Sequence, residues 1–233
     1  MLPRILEPEV MDTPEEAEDY DRMDHAEVNR RFVYDLLAFC GLPDDNMRVD
    51  QSFDPTRLLD VGTGTALIPI ELVRCHEIWN VHGIDLAASM LLLGQQNIER
   101  AGVSQRVQLE LVDAKHLPFV DGCFPGVISN SIVHHIPSPI DAFREMRRVL
   151  CPNGFLFVRD LLRPDSIDDL EHLVDLHTVG AIPSQRQLFR QSLHASLTIE
   201  EVRQLLRQTG FDPGSVQQTS DRHWTIATRL RDI

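Results

Sequence analysis

Basic residues are in short supply in this 233-residue chain: 22 Lys and Arg face 36 Asp and Glu, for a formal charge of −14. That average field repels a polyphosphate backbone, which disfavours nucleic acid as a partner. A basic patch would have to form around Arg144, Arg147 and Arg148. On a helix beginning near Ser138 those arginines fall on the polar face and read as solvated surface. Cysteine is equally sparse. Cys40, Cys75, Cys123 and Cys151 lie far apart with no CxxC pair, so neither zinc spacing nor a disulfide framework is visible, as expected in a reducing compartment. No segment approaches the roughly 18 consecutive apolar residues of a membrane span. The acidic amino-terminal stretch does not read as a signal peptide, and the expected location is cytoplasmic. Internal repeats and low-complexity tracts are absent as well.

What is present is a regular alternation of apolar runs and helical patterns after position 57. The pattern predicts strands at Arg57–Val61, Asn80–Asp85, Val107–Val112, Gly126–Ser131 and Phe155–Leu161. It predicts helices at Ala66–His76 and Ala88–Gly102. Ser138-Pro139-Ile140-Asp141 predicts a helix start with a capping serine, proline in the first turn and an early acid. That helix inserts Phe143, Met146, Val149 and Leu150 and ends before a turn at Pro152-Asn153-Gly154. Thr198-Ile199-Glu200-Glu201 reads as a capping box and Gly210 as a helix stop. Val216–Thr219 and Trp224–Thr228 then form a terminal β pair. The length suits one large domain. Strands alternating with helices imply an α/β fold, a mostly parallel sheet covered on both faces.

Two regions fall outside the alternation. Residues 1–50 hold an acidic start and a helix-like stretch, Val28–Phe39, and are expected to form a helical cap on a main domain at 51–233. Residues 163–197 interrupt the path from the fifth strand. Their place at the ligand edge of the sheet predicts a lid-like insertion or substrate wall, the alternative being a surface pair of helices. Leu170, Leu173, Val174 and Leu176 are the expected apolar helix face.

The chemistry concentrates in Leu58-Leu59-Asp60-Val61-Gly62-Thr63-Gly64-Thr65-Ala66, an apolar strand entering a glycine turn and a helix. Such a turn lets backbone N–H groups approach a ligand closely. Asp85 closes the next strand, where a carboxylate can accept two ribose hydroxyls. Together they indicate a nucleoside-containing cofactor. A dinucleotide site wants a third small residue where Leu67 stands. It would also be repelled by Asp60, whereas a cationic sulfonium amino acid would be attracted by it. A nicotinamide-dependent oxidoreductase is therefore the weaker alternative.

Asp60-Val-Gly62-Thr-Gly64-Thr, Asp85, Asp113-Ala114 and Asn130-Ser131, in this order at strand ends, resemble the class I S-adenosylmethionine-dependent methyltransferases. The nearest branch is the small-molecule one that includes ubiquinone/menaquinone-biosynthesis-type enzymes. The resemblance covers about residues 55–160. It implies a Rossmann-like methyltransferase fold, a seven-stranded sheet with an antiparallel terminal strand, and S-adenosyl-L-methionine as cofactor. It further implies that Gly62, Thr63 and Gly64 bring main chain against the methionine and ribose, and that Asp60 lies beneath the amino group. Asp85 would bind the ribose hydroxyls, Leu86 and Met90 would flank the adenine, and Asp113 and Ala114 would meet its edge. Asn130 would offer main-chain oxygen to the ammonium. Tyr20, on a segment that similar enzymes fold over the cofactor, would shield the sulfonium. Thr65 departs from the family's third glycine, and its hydroxyl is expected to cap the helix.

The expected partner is a small-molecule methyl acceptor with an O, N or C nucleophile. Methyl transfer gains much of its rate from alignment, and a base is needed only where a proton must leave. His134 and His135, after the fourth strand, are the candidate bases; they either deprotonate an acceptor or line and shape the turn. A metal is not expected, since adjacent residues point differently and no further ligands cluster in sequence. Arg159 and Asp160 end the fifth strand, either facing the pocket or pairing with other groups. A silent module that binds the cofactor without turnover is the non-enzymatic alternative.

Overall fold

The computed structural model describes residues 2–10, 12–23, 25–41 and 57–230. The expected boundary between cap and main domain, at 50/51, lies outside them. Seven strands form one sheet: β1 (Arg57–Val61), β2 (Asn80–Asp85), β3 (Val107–Leu111), β4 (Phe124–Asn130), β5 (Leu150–Leu161), β6 (Val216–Gln218) and β7 (His223–Arg229). Their order is β3-β2-β1-β4-β5-β7-β6. The first five pair in parallel, and β7 runs antiparallel between β5 and β6. This is the Rossmann-like α/β methyltransferase architecture that the sequence implied.

Alternation along the buried strands feeds two cores, one on each face of the sheet. Val127, Leu156, Val158, Trp224 and Ile226 point to the face covered by helices α5 (Ile140–Val149) and α8 (Ile199–Thr209). Ile128, Phe155 and Phe157 point to the other face, under α2 (Ala26–Cys40), α3 (Leu67–Cys75) and α4 (Ala88–Ala101). Phe32 and Leu36 of α2 are completely buried there, and Phe32 meets Phe157 edge-on at 5.2 Å. The helix-like stretch at 28–39 thus completes the core of the main fold.

Several local expectations change. Ser138 does not cap α5: Pro139 occupies the cap position, with no side-chain cap bond. Pro152-Asn153-Gly154 does turn, but as an irregularity inside β5, with Asn153 at φ 60° and the β4–β5 register shifting after Phe124. Helix α1 (Pro14–Asp21) rises from the acidic start, with a capping box between Thr13 and Glu16. Residues 163–197 form two helices, α6 (Ile167–His177) and α7 (Pro183–Ala195). Leu170, Leu173 and Val174 are buried together with Leu2, Leu161 and Leu193. Leu176 is turned outward and 53% exposed, so it leaves the expected apolar face.

The strand order reverses between β1 and β4, and the carboxyl ends of those strands open a crevice. In open α/β sheets that crevice is where ligands bind.

Candidate active site

The glycine turn that follows β1 is laced to the end of β2. Gly62 and Thr63 both donate their N–H to the Ile84 carbonyl at 2.9 Å, and Gly64 N–H donates to Asp85 Oδ2 at 2.8 Å. These three donors are therefore used within the protein and do not point at a ligand, which corrects the expectation from sequence. The glycines serve shape instead. Gly62 and Gly64 adopt φ of 73° and 54°, and a Cβ on Gly62 would lie 2.5 Å from Ile132 Cγ1. Bare main chain is what remains on the crevice wall. Thr65 does not cap α3, whose cap residue is Ala66 in the left-handed conformation. The Thr65 hydroxyl is buried without a hydrogen-bond partner.

Two carboxylates frame this turn. Asp85 accepts Gly64 N–H on one oxygen and Ala87 N–H, at 2.9 Å, on the other. An ionised carboxylate has about four acceptor sites, so capacity remains on each oxygen. Burial raises the Asp85 pKa while the backbone donors oppose the rise. Asp60 is 2% exposed; burial, with Asp85 adding to it, pushes its pKa up to about 7. It shares a crevice wall with Tyr20, Thr63 and Asn130. Asn130 Oδ1 is buried and has no partner. A cationic donor entering here would satisfy that oxygen and stabilise the Asp60 carboxylate.

Tyr20 closes the crevice from above. The position of a Cβ on Gly64 lies 3.9 Å from Tyr20 Cε1, and the ring packs on His25 at 4.5 Å. Burial, with Asp85 and Asp60 nearby, pushes the phenol pKa up to about 12 and keeps it protonated. Beyond Gly62 the lining continues with Leu86, Asp113, Ala114 and Lys115, and Met90 joins the wall beside Tyr20 and Leu86. Desolvation raises the Asp113 pKa, but the Lys115 amide and ammonium overcome it and hold the carboxyl below its ordinary value. Lys115 also pairs with Glu9.

The two histidines separate. His135 lines the crevice with Ser131 and Ile132, whereas His134 does not reach it. Its Nδ1 lies 2.5 Å from Asp160 Oδ1 and its Nε2 3.4 Å from Glu7 Oε1. Burial disfavours charge on His134, yet Asp160 and Glu7 outweigh it and raise the ring's pKa. Their rings stack 4.3 Å apart at 34°, correcting the expectation that adjacent residues diverge. Arg159 and Asp160 also turn away from the crevice. Arg159 donates to Asp35 at 2.6 Å and to Thr225.

Sequence reasoning missed the strap formed by residues 2–10. Arg4 donates to the carbonyls of Ala195, Pro137, Ile136 and His134 at 2.6–3.2 Å, and Ile5 N–H donates to His194 C=O at 3.2 Å. Glu9 and Val10 then line the crevice. None of the crevice lining described above comes from 163–197; α6 and α7 instead pack on Leu2 of the strap. A lone arginine in an acidic segment gives no local signal of contacts more than a hundred residues away.

A doubly wound sheet with a glycine turn, a buried carboxylate and a half-buried one at its switch point defines an α/β protein suited to a nucleoside-bearing cofactor. A methyltransferase-domain family model matches residues 59–158. The malonyl-[acyl-carrier protein] O-methyltransferase of Geobacter sulfurreducens is 30% identical over 221 residues, 93% of this chain and 75% of that protein. The biotin biosynthesis bifunctional protein BioHC of Teredinibacter turnerae is 33% identical over 159 residues, 66% of this chain but only 26% of that longer protein. A SAM-dependent methyltransferase from Aquifex aeolicus shares the fold, with a TM-score of 0.66 at 16% identity over 94% of this chain and 98% of that one. This chain belongs to the class I S-adenosylmethionine-dependent methyltransferase family.

Proposed function

We propose that the protein transfers the methyl group of S-adenosylmethionine to an oxygen of a small-molecule acceptor. The observation that carries this reading is the convergence of Asp60, Asp85, Asn130 and Tyr20 on one crevice around Gly62 and Gly64. In it Asp60 and the Asn130 side chain take the methionine ammonium, and Asp85 uses its remaining acceptor sites for the ribose hydroxyls. Gly62, Thr63 and Gly64 form the floor. Leu86, Met90, Asp113 and Ala114 hold the adenine, and the Tyr20 ring covers the sulfonium. The bound cofactor supplies the electrophilic methyl group; the chain aligns the two reactants and excludes water.

Oxygen is favoured over nitrogen or carbon by the similarity, across 93% of this chain, to an O-methyltransferase. This narrows the quinone-type resemblance seen in sequence. A carboxylate acceptor has already lost its proton at neutral pH and needs no base. That suits His135, which burial, with His134 adding, pushes down to about 3 and keeps neutral. His134, away from the crevice, acts as a positioning residue. Residues 163–197 serve the site indirectly, by holding the strap whose Glu9 and Val10 border the acceptor space.

The test is incubation with methyl-labelled S-adenosylmethionine and a panel of small carboxylic acids, alcohols, amines and activated carbon acids. Label transfer to oxygen, with S-adenosylhomocysteine released, supports the reading. Transfer only to nitrogen or carbon overturns the oxygen assignment. Tight binding without transfer to any acceptor favours the silent module.

A further inference from the structure

Glu7, His134 and His135 bring their ligand atoms within 4.8 Å of one another, a grouping formed by no other three His, Cys, Asp or Glu among the described residues. Glu7 Oε1 stands 3.4 Å from His134 Nε2 and 3.2 Å from His135 Nδ1. Zinc bonds to nitrogen and oxygen of about 2.0–2.2 Å in a tetrahedron set neighbouring ligand atoms about 3.3–3.6 Å apart. The two separations are close to that spacing. They are poor as hydrogen bonds: Glu7 Oε1 and His135 Nδ1 are both buried with no hydrogen-bond partner. Leaving such atoms unpaired is costly, and a shared cation would satisfy both at once.

The surroundings match as well. Metal-bound imidazoles almost always donate their other ring N–H to a carboxylate or carbonyl, which fixes the tautomer and orients the ring. His134 Nδ1 meets Asp160 Oδ1 at 2.5 Å. Asp160 is itself fixed by the N–H groups of His134 and Leu161, at 3.0 and 2.6 Å. The second Glu7 oxygen accepts from the Ser192 hydroxyl at 3.2 Å. The charged groups facing this spot are Glu7, Asp160 and the Arg4 guanidinium.

We propose that Glu7, His134 and His135 form a binding site for a divalent ion of the zinc class, stapling the amino-terminal strap to the loop after β4. As the ion binds, any proton at His134 Nε2 leaves to solvent. The site lies at the crevice edge through His135 and stands independently of which acceptor is methylated.

The test is titration of the chelator-stripped full chain with Co²⁺ as a visible probe, followed by competition with Zn²⁺. One equivalent of Co²⁺ should give tetrahedral ligand-field bands without thiolate charge transfer, and Zn²⁺ should displace it. Glu7→Gln, which keeps the side-chain shape, and His135→Ala should each abolish the bands. Asp160→Asn should weaken affinity about 10–100-fold. Glu9→Gln, on the strap but outside the ligand set, should leave binding intact. Far-UV circular dichroism shows that each variant is folded. A thiolate spectrum, no one-equivalent binding, or binding unchanged in Glu7→Gln and His135→Ala would overturn the proposal.

Discussion

Gly64 N–H donates to Asp85 Oδ2 at 2.8 Å, joining the turn after β1 to the end of β2. The residue assigned to the ribose thus also fixes the turn on which the ribose would lie. Replacing Asp85 therefore has a double effect. Asp85→Ala removes an acceptor from two backbone N–H groups and is expected to lower stability. Asp85→Asn keeps an acceptor for one of those two N–H groups and so disturbs the turn less than alanine does; its own loss of stability is read separately by denaturant unfolding. Two charge-assisted hydrogen bonds of about 1.5–3 kcal/mol each imply an affinity loss of about a hundredfold or more for S-adenosylhomocysteine. Isothermal titration on the folded Asn variant measures it; unchanged affinity would return Asp85 to a purely structural role.

Gly62→Ala is expected to destabilise the fold. The φ of 73° is strained for alanine, and the new methyl would lie 2.5 Å from Ile132 Cγ1. A loss of about 1–3 kcal/mol follows from overpacking alone. Denaturant unfolding should show it, and Ile132→Ala in the same chain should restore part of the loss.

The Asp60 carboxyl, raised by burial to about 7, makes cofactor binding depend on pH. Its folded pKa lies above its unfolded value. Its contribution to the stability of the free protein is therefore greatest in acid, and it is lost as pH climbs from the ordinary carboxylate range to about 7. A cofactor ammonium beside it favours the ionised form and expels the proton. Affinity for S-adenosylhomocysteine should accordingly rise with pH and level off above about 7. Calorimetry in two buffers of different ionisation enthalpy counts the proton, and Asp60→Asn should remove this component of the slope.

These residues were legible in the sequence because their signals are local. A strand, a glycine turn and an acid at the next strand end are all set within about thirty residues, and the parallel direction of the two strands puts both features at the carboxyl edge of the sheet. Arg4, Glu7 and Glu9 were not legible, because their meaning depends on carbonyls and imidazoles far along the chain. Helix α1 escaped for another reason. Thr13 and Glu16 spell a capping box, but only Ala17 of that helix is buried, so no apolar stripe accompanies it. The histidine pair shows the limit of treating a tight loop as extended chain: its curvature brings both rings round to Glu7.

The strap gives a fourth prediction. Arg4 joins residues 2–10 to the carbonyls after β4 and to Ala195 at the end of α7. Arg4→Ala should therefore speed amide hydrogen exchange both in the strap and at 194–197 while leaving β1, β2 and β4 protected. Faster exchange confined to the strap would mean that α7 is held without it.

The most direct measurement is a thermal melt with S-adenosylmethionine, S-adenosylhomocysteine and NAD in parallel. A ligand that binds only the native state, at a hundredfold excess over Kd, adds about 2.7 kcal/mol. Both sulfur nucleosides should raise the melting temperature, NAD should leave it unchanged, and Asp85→Asn should remove most of the shift. A shift with NAD and none with the sulfur nucleosides would contradict the account.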